Sequence, residues 1–363
     1  MNYKLIILFS LYLLASLNFA KAQSFTEEIK HHRVFYVSPA ATLELNNKYG
    51  NIHISTWEED SISIDINFFI SEKSEAKFNK IKDNVQFKIG GNSAFLSAET
   101  VFGSKYSSFF KNIKEATNML SSPNNNSRID YFVKVPSYIN LKIENRYGDI
   151  FIPDFHGNIN VQLSNGDFQA RKISGSNILN LEFGNVIIEQ LEQSTLNLNF
   201  AEVNIDKAGQ LDINSKSSKV NIKDCNLIKL KSKRDEYSID NIGFVFGDTY
   251  FSKLSIYNLN NEYNMVMQYG ELKHLGIAPA YKLIRINSAY TNCTLVMENP
   301  VAYKSTIKGP KSNIILAQSI SSNEANWEEL VKSNPVSFYY KSQTAKEKVQ
   351  VQINDATLKI SHK

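Results

Sequence analysis

Between Gly148 and Gly184, glycine returns every nine residues, at Gly148, Gly157, Gly166, Gly175 and Gly184. Four of these open one phrase: Gly148-Asp149-Ile150, Gly157-Asn158-Ile159, Gly166-Asp167-Phe168 and Gly184-Asn185-Val186. The beat continues at Ala201-Glu202-Val203, Gly209-Gln210-Leu211 and Ser218-Lys219-Val220. After each comes an apolar pair two residues apart, such as Ile150/Ile152, Ile159/Val161, Val186/Ile188, Val203/Ile205 and Val220/Ile222. Leu179/Leu181 and Leu196/Leu198 keep the pattern with a slip of one or two residues. Period-two alternation marks a strand with one buried face. The short polar or glycine interval between strands supplies a tight turn. A unit this small cannot bury its own apolar face, so neighbours must stack. The expectation is an all-β chain, a β-solenoid of the parallel β-helix kind with 9-residue strand–turn units, two units giving an 18-residue coil. An antiparallel β-sandwich or meander is the alternative, because Asn165-Gly166 is also a hairpin signal.

The inner face is predicted to carry Ile150, Ile159, Phe168, Val186, Val203, Leu211 and Val220. The phrase recurs upstream as Tyr49-Gly50-Asn51-Ile52 and downstream as Tyr269-Gly270-Glu271-Leu272. Further strands are read at Ile62–Ile70, Ile228/Leu230, Tyr237/Ile239, Leu254/Ile256, Met265/Met267, Ile284/Ile286 and Cys293/Leu295. A helical insertion falls within residues 72–122, with helices expected at Glu72–Asp83 and Ser104–Ser122. A last helix is expected at Asn323–Val331, followed by strands near Val336–Tyr340, Val349–Ile353 and Thr357–Ile360. The chain therefore divides into a signal peptide (1–22), an N-terminal β region with the insertion (23–132), the solenoid (133–300) and a C-terminal capping region (301–363).

Val133-Lys134-Val135-Pro136, then Leu141 to Ile150, then Ser164-Asn165-Gly166-Asp167 resemble the bacterial "putative adhesin" family. These are exported β-solenoid proteins related to the auto-transporter adhesin-head group. The resemblance is strongest over 130–225 and rests on the phrase alone over 45–70 and 265–300. It implies the solenoid fold and an adhesin-like role, and it carries no catalytic residues to transfer. The chain departs from the family in its aromatic stretch Phe102–Phe110 and its Tyr-rich C-terminal half.

Lys4, the apolar run Leu5–Leu17 and Ala20-Lys21-Ala22 have the order of a Sec-type signal peptide. No later segment reaches the roughly 18 apolar residues of a membrane helix, so no integral membrane segment is expected in the mature chain. The destination is periplasmic, cell-surface or extracellular. Loss of Lys4 and Lys21 lowers the net charge from +4 to +2. That balance excludes a nucleic-acid partner, which would want clustered cations. The run Lys229, Lys231, Lys233, Arg234 reads as the solvated face of a strand. Cys225 and Cys293 fall about four coils apart, roughly 19 Å at the usual strand spacing, too far for a disulfide.

The search for chemistry assigns no catalytic, cofactor-binding or metal-binding residue and no cofactor. Asp149 and Asp167, eighteen residues apart, could stack as a carboxylate pair, but both follow a turn glycine, where Asp favours local backbone bonding. Each turn carries one glycine, without the Gly-Gly-x-Gly-x-Asp of calcium-binding coils. His31, His32, His53, His156 and His274 are dispersed. Aromatics are the better clue: Phe102, Tyr106, Phe109, Phe110, Tyr250, Phe251, Tyr257, Tyr263, Tyr269, Tyr339 and Tyr340 could form stacking surfaces. The expected function is that of a non-enzymatic envelope protein, an adhesin-like binding or scaffold module for a protein or glycan ligand. The alternatives are a carbohydrate-active β-helix enzyme using Asp149 and Asp167, and a purely structural component.

Overall fold

The computed structural model describes residues 24–103, 127–310, 313–317 and 334–363. The signal segment, the expected helices at Ser104–Ser122 and Asn323–Val331, and Tyr106, Phe109 and Phe110 lie outside the described residues. Strands dominate the rest and connect into one large, open sheet that is mostly parallel. Among the described residues the α-helix is Glu75–Asn84, close to the expected one. It carries Glu75 in its first turn and Lys82 in its last, which suits the helix dipole. Phe78 is its buried anchor, and Lys82 Nζ lies 2.7 Å from Glu27.

Parallel pairing sorts the strands into two columns. In the first column Leu141 pairs with Ile159 and Ile159 with Asn177, a step of 18 residues. Further along, Leu211 pairs with Ile228 and Ile228 with Val245, a step of 17. In the second column Ile150 pairs with Phe168, and Val203, Val220, Tyr237 and Leu254 follow one another in register. The apparent slip at Leu179/Leu181 disappears on this count. Those residues belong to the first column, beside Val161 and Leu163, while the nine-residue phrases alternate between columns. Every strand pairing between residues 140 and 300 is parallel, so the meander alternative fails there.

The seven predicted inward residues are all at most 2% exposed and belong to one continuous apolar core. A side-chain period of two puts every second residue into that core. The antiparallel pairs sit at the two ends. Phe25–Tyr36, Ser61–Glu72 and Arg128–Pro136 pair antiparallel at the top of the second column, and Val85–Gly91 with Phe95–Phe102 at the top of the first. At the other end the chain runs past one level and then returns to fill it. Glu347–Asn354 pairs parallel with Leu283–Ala289 on one side and with Tyr303–Lys308 on the other. Leu358–His362 likewise lies between Asn292–Met297 and Ile314–Leu316. Cys225 and Cys293 are unpaired and buried.

Candidate ligand-binding corner and trough

Each passage from the first column to the second turns through one residue with positive φ. Going down the sheet these include Tyr49, Tyr147, Asn165, Phe183, Phe200, Ser217, Arg234, Phe251, Tyr269, Tyr290 and Asp355, with φ between 49° and 68°. This left-handed region ordinarily goes to Gly or Asn, and costs other residues about 1–2 kcal/mol. Here it is mostly occupied by large aromatic side chains. Tyr147, Phe183, Phe200, Phe251, Tyr269 and Tyr290 are 39–53% exposed, so little burial offsets the strain. Their rings stack along the corner: Tyr49 on Tyr147 (centroids 5.4 Å, planes 9° apart), Phe183 on Phe200 (5.1 Å, 5°), Phe251 on Tyr269 (5.2 Å, 24°) and Tyr269 on Tyr290 (4.9 Å, 4°). Such pairs contribute about 0.5–1.5 kcal/mol, which is comparable to the backbone cost. Strained residues whose side chains face solvent point to a functional constraint.

In the upper levels the residue after the corner must be glycine. A Cβ on Gly148 would lie 2.0 Å from the Gly50 carbonyl oxygen, and one on Gly166 would lie 2.1 Å from that of Gly148. Further down, Ser218, Asp235 and Ser252 hold this place and turn polar groups inward. Asp235 is 4% exposed. Its carboxylate accepts hydrogen bonds from Ser215 Oγ (2.6 Å), Ser232 Oγ (2.6 Å), Lys233 N (2.9 Å) and Ser218 N (2.7 Å). Ser215 Oγ also lies 2.6 Å from the Tyr237 hydroxyl, whose pKa is pushed up by burial and then by Asp235. Four donors compensate the buried charge, as burial requires.

Beside the corner, the outer face of the first column forms a trough of about 1080 Å³. Its floor is an amide ladder: Asn197 Nδ2 donates to Asn180 Oδ1 (2.8 Å), and Asn214 Nδ2 donates to Asn197 Oδ1 (3.2 Å). Below Asn214 the same row continues with Lys231 and Asp248, paired in register. The rim nearest the corner carries Glu182, Asn199, Lys216, Lys233 and Tyr250. A smaller hollow of about 550 Å³ lies on the corner itself, between Phe200 and Phe251, where Ser217 and Arg234 interrupt the aromatic series. Trough and corner together offer hydrogen-bonding amides, cations and flat apolar rings in adjacent parallel rows.

Of the residues singled out in the sequence, Phe251 and Tyr269 lie on this corner and Tyr250 on the trough rim. Tyr257 is 53% exposed but lies elsewhere, against His274. Tyr263 is fully buried in the core, its hydroxyl 3.3 Å from Met267 sulfur, and offers no stacking surface. Phe102 packs edge-on against Tyr49 (5.8 Å). Asp149 Oδ1 accepts from Asp167 N (2.8 Å), and Asp167 Oδ1 accepts from Asn185 N (2.8 Å). Each carboxylate thus ties one level to the next. The histidines stay apart: His32 pairs with Asp65 (2.6 Å), His53 is stacked between Phe132 and Phe151, and His156 bonds Ser174 (2.9 Å). Among the described residues no three His, Cys, Asp or Glu side chains are grouped to hold a metal. Phe183, Phe200 and Tyr290 were missed by sequence reasoning. The signal was available for Phe183, which directly precedes Gly184 of the phrase, whereas Phe200 and Tyr290 precede Ala201 and Thr291, which lack the glycine.

No family model matches the chain, and no curated protein matches it either. Solved structures with a similar course include a "putative cell adhesion protein" from Clostridium sporogenes, 11% identical, covering 93% of this chain and 100% of that one, with a TM-score of 0.23. A "putative adhesin" from Bacteroides fragilis is 10% identical over 92% of this chain and 97% of its own, with a TM-score of 0.28. A "putative lipid binding protein" from Parabacteroides distasonis is 10% identical over 91% and 96%, with a TM-score of 0.26. No helix among the described residues is long and apolar enough to cross a membrane.

Proposed function

We propose that this chain is a non-enzymatic binding module of the bacterial envelope, adhesin-like in role, which holds an extended ligand along the aromatic corner and the adjoining trough. The observation that carries this reading is the row of exposed, stacked aromatic rings held in left-handed backbone. Stability is close to neutral toward such residues, because stacking offsets the backbone strain, whereas recognition by stacking selects for them. The two parallel columns are read as the faces of a β-solenoid, with 133–300 as its body, 301–363 as the C-terminal cap and 1–22 as a Sec-type signal for export to periplasm or surface. Stacked coils make a straight, rigid surface, and a preorganised surface loses little entropy on binding. The ligand is a glycan or protein of the envelope.

The test is retention of the purified protein on envelope polysaccharide and on arrayed glycans. A variant with Phe183→Gly, Phe200→Gly, Phe251→Gly and Tyr269→Gly should keep its thermal melt and lose retention. Undiminished retention by the variant would remove the corner from the binding surface.

A further inference from the structure

We infer that the interruption of the aromatic corner, between Phe200 and Phe251, is a station for the carboxylate of an acidic polysaccharide; this rests on the corner being a binding surface. Lys216 and Lys233 are direct register partners on the outer face, so two like charges stand side by side at one strand spacing. Arg234 follows at once on the corner, exposed, at φ 61°. Like charges placed directly opposite destabilise a sheet, so nothing in folding calls for this cluster.

The carboxylates on the corner itself are already engaged. Glu202 pairs with Lys219 (3.0 Å), Glu236 pairs with Lys273 (2.9 Å), and Asp235 is buried beneath four donors. Among the described residues Lys216 and Arg234 make no ion pair. Lys233 Nζ sits 5.9 Å from the Tyr250 ring centroid. A local cationic surplus therefore lies where the stacking surface is broken.

The surroundings select the class of anion. Phe200 and Phe251 stand three levels apart, about 14 Å at the usual strand spacing. They frame the cluster above and below with exposed ring faces. The Asn180–Asn197–Asn214 ladder approaches it along the trough. Pyranose rings present an apolar C–H face to an aromatic ring, hydroxyl groups to amides, and, in a uronic acid, a carboxylate to a guanidinium fork. A sugar chain lying along the corner would meet the ring faces and the cations in line, with the amides in a parallel row beside it. Dense polyanions fit less well, because Glu182 and Asp248 flank the cations within the trough and phosphate backbones want many cations in a row.

Titration calorimetry with oligogalacturonate, oligomannuronate and hyaluronan fragments, each against its methyl ester, tests the assignment. At least one acid form should bind, weaken as salt is raised, and bind roughly tenfold more tightly than its ester, as expected for a charge-assisted hydrogen bond. The variant Lys216→Gln, Lys233→Gln, Arg234→Asn should keep its melt and bind acid and ester alike. The variant Phe200→Gly, Phe251→Gly should weaken both forms. Failure of all three acids to bind, or equal affinity for acid and ester in the wild type, overturns the inference. So does equal binding to phosphatidylglycerol vesicles or single-stranded DNA that the aromatic variant leaves unchanged. If acid and ester bind alike and the aromatic variant loses both, the binding corner stands and only the cationic station falls.

Discussion

Phe200 shows the conflict that runs through this corner: its backbone is left-handed at φ 51°, and its ring is half exposed. Glycine would remove the strain, which is about 1–2 kcal/mol, and would forfeit the stack on Phe183, about 0.5–1.5 kcal/mol. The two nearly cancel. Phe200→Gly is therefore expected to shift unfolding free energy in urea by no more than about 1 kcal/mol, despite the loss of a whole aromatic side chain. The cysteines provide a second test at this scale. Burial pushes the thiols of Cys225 and Cys293 up to about 12. Since the thiolate is the reactive form, an aromatic disulfide reagent at pH 8 should label neither in the native protein and both after unfolding. Rapid native labelling of either would mean that its side chain is not enclosed as described.

At the scale of the strand and its turn, alternation separates positions that tolerate change from those that do not. Val203 is fully buried in the second column between its register neighbours, so Val203→Asp places an unpaired charge in the apolar core. A loss of several kcal/mol follows. Asp167, by contrast, serves as an acceptor: its Oδ1 receives Asn185 N and Asn185 Nδ2. Asn retains that oxygen, so Asp167→Asn should change stability by less than about 0.5 kcal/mol. Thermal melts of the two variants side by side check the contrast. Equal small shifts would place Val203 on the wrong face.

The whole molecule closes on its C-terminal strands, and one histidine there makes its stability depend on pH. His362 Nε2 lies 2.9 Å from the Tyr303 hydroxyl, and its ring packs against Tyr340 at 4.4 Å. Burial, followed by the nearby Lys341 charge, lowers its pKa from 6.5 to about 4. Between these values the unfolded chain holds the proton and the folded chain does not. The contribution is therefore intact above pH 6.5 and is lost progressively as pH falls toward 4. Denaturant titrations of the wild type and of His362→Gln across that window should diverge, with the wild type losing more stability on acidification. Parallel curves would contradict the depressed value.

Some of this was legible in the residues alone. Period-two alternation determined which side chains face inward, because a strand has two faces and only one can be buried. The nine-residue beat determined strand and turn lengths, and Gly148 and Gly166 marked turns where a Cβ would strike the backbone one level away. Half of the corner could be seen as well, in Tyr49-Gly50, Tyr147-Gly148, Phe183-Gly184 and Tyr269-Gly270. Phe251 was also singled out as an aromatic, whereas Phe200-Ala201 and Tyr290-Thr291 lack the glycine and hid the remainder. Only the tertiary structure decided that the beat alternates between two columns with steps of 17 and 18 residues. It also decided that Tyr263 is buried while Tyr269 is exposed, and that Lys216 and Lys233 are neighbours. Contacts of this kind join residues about two strands apart in the chain, and pairing direction and register, which local alternation does not specify, choose which of them meet.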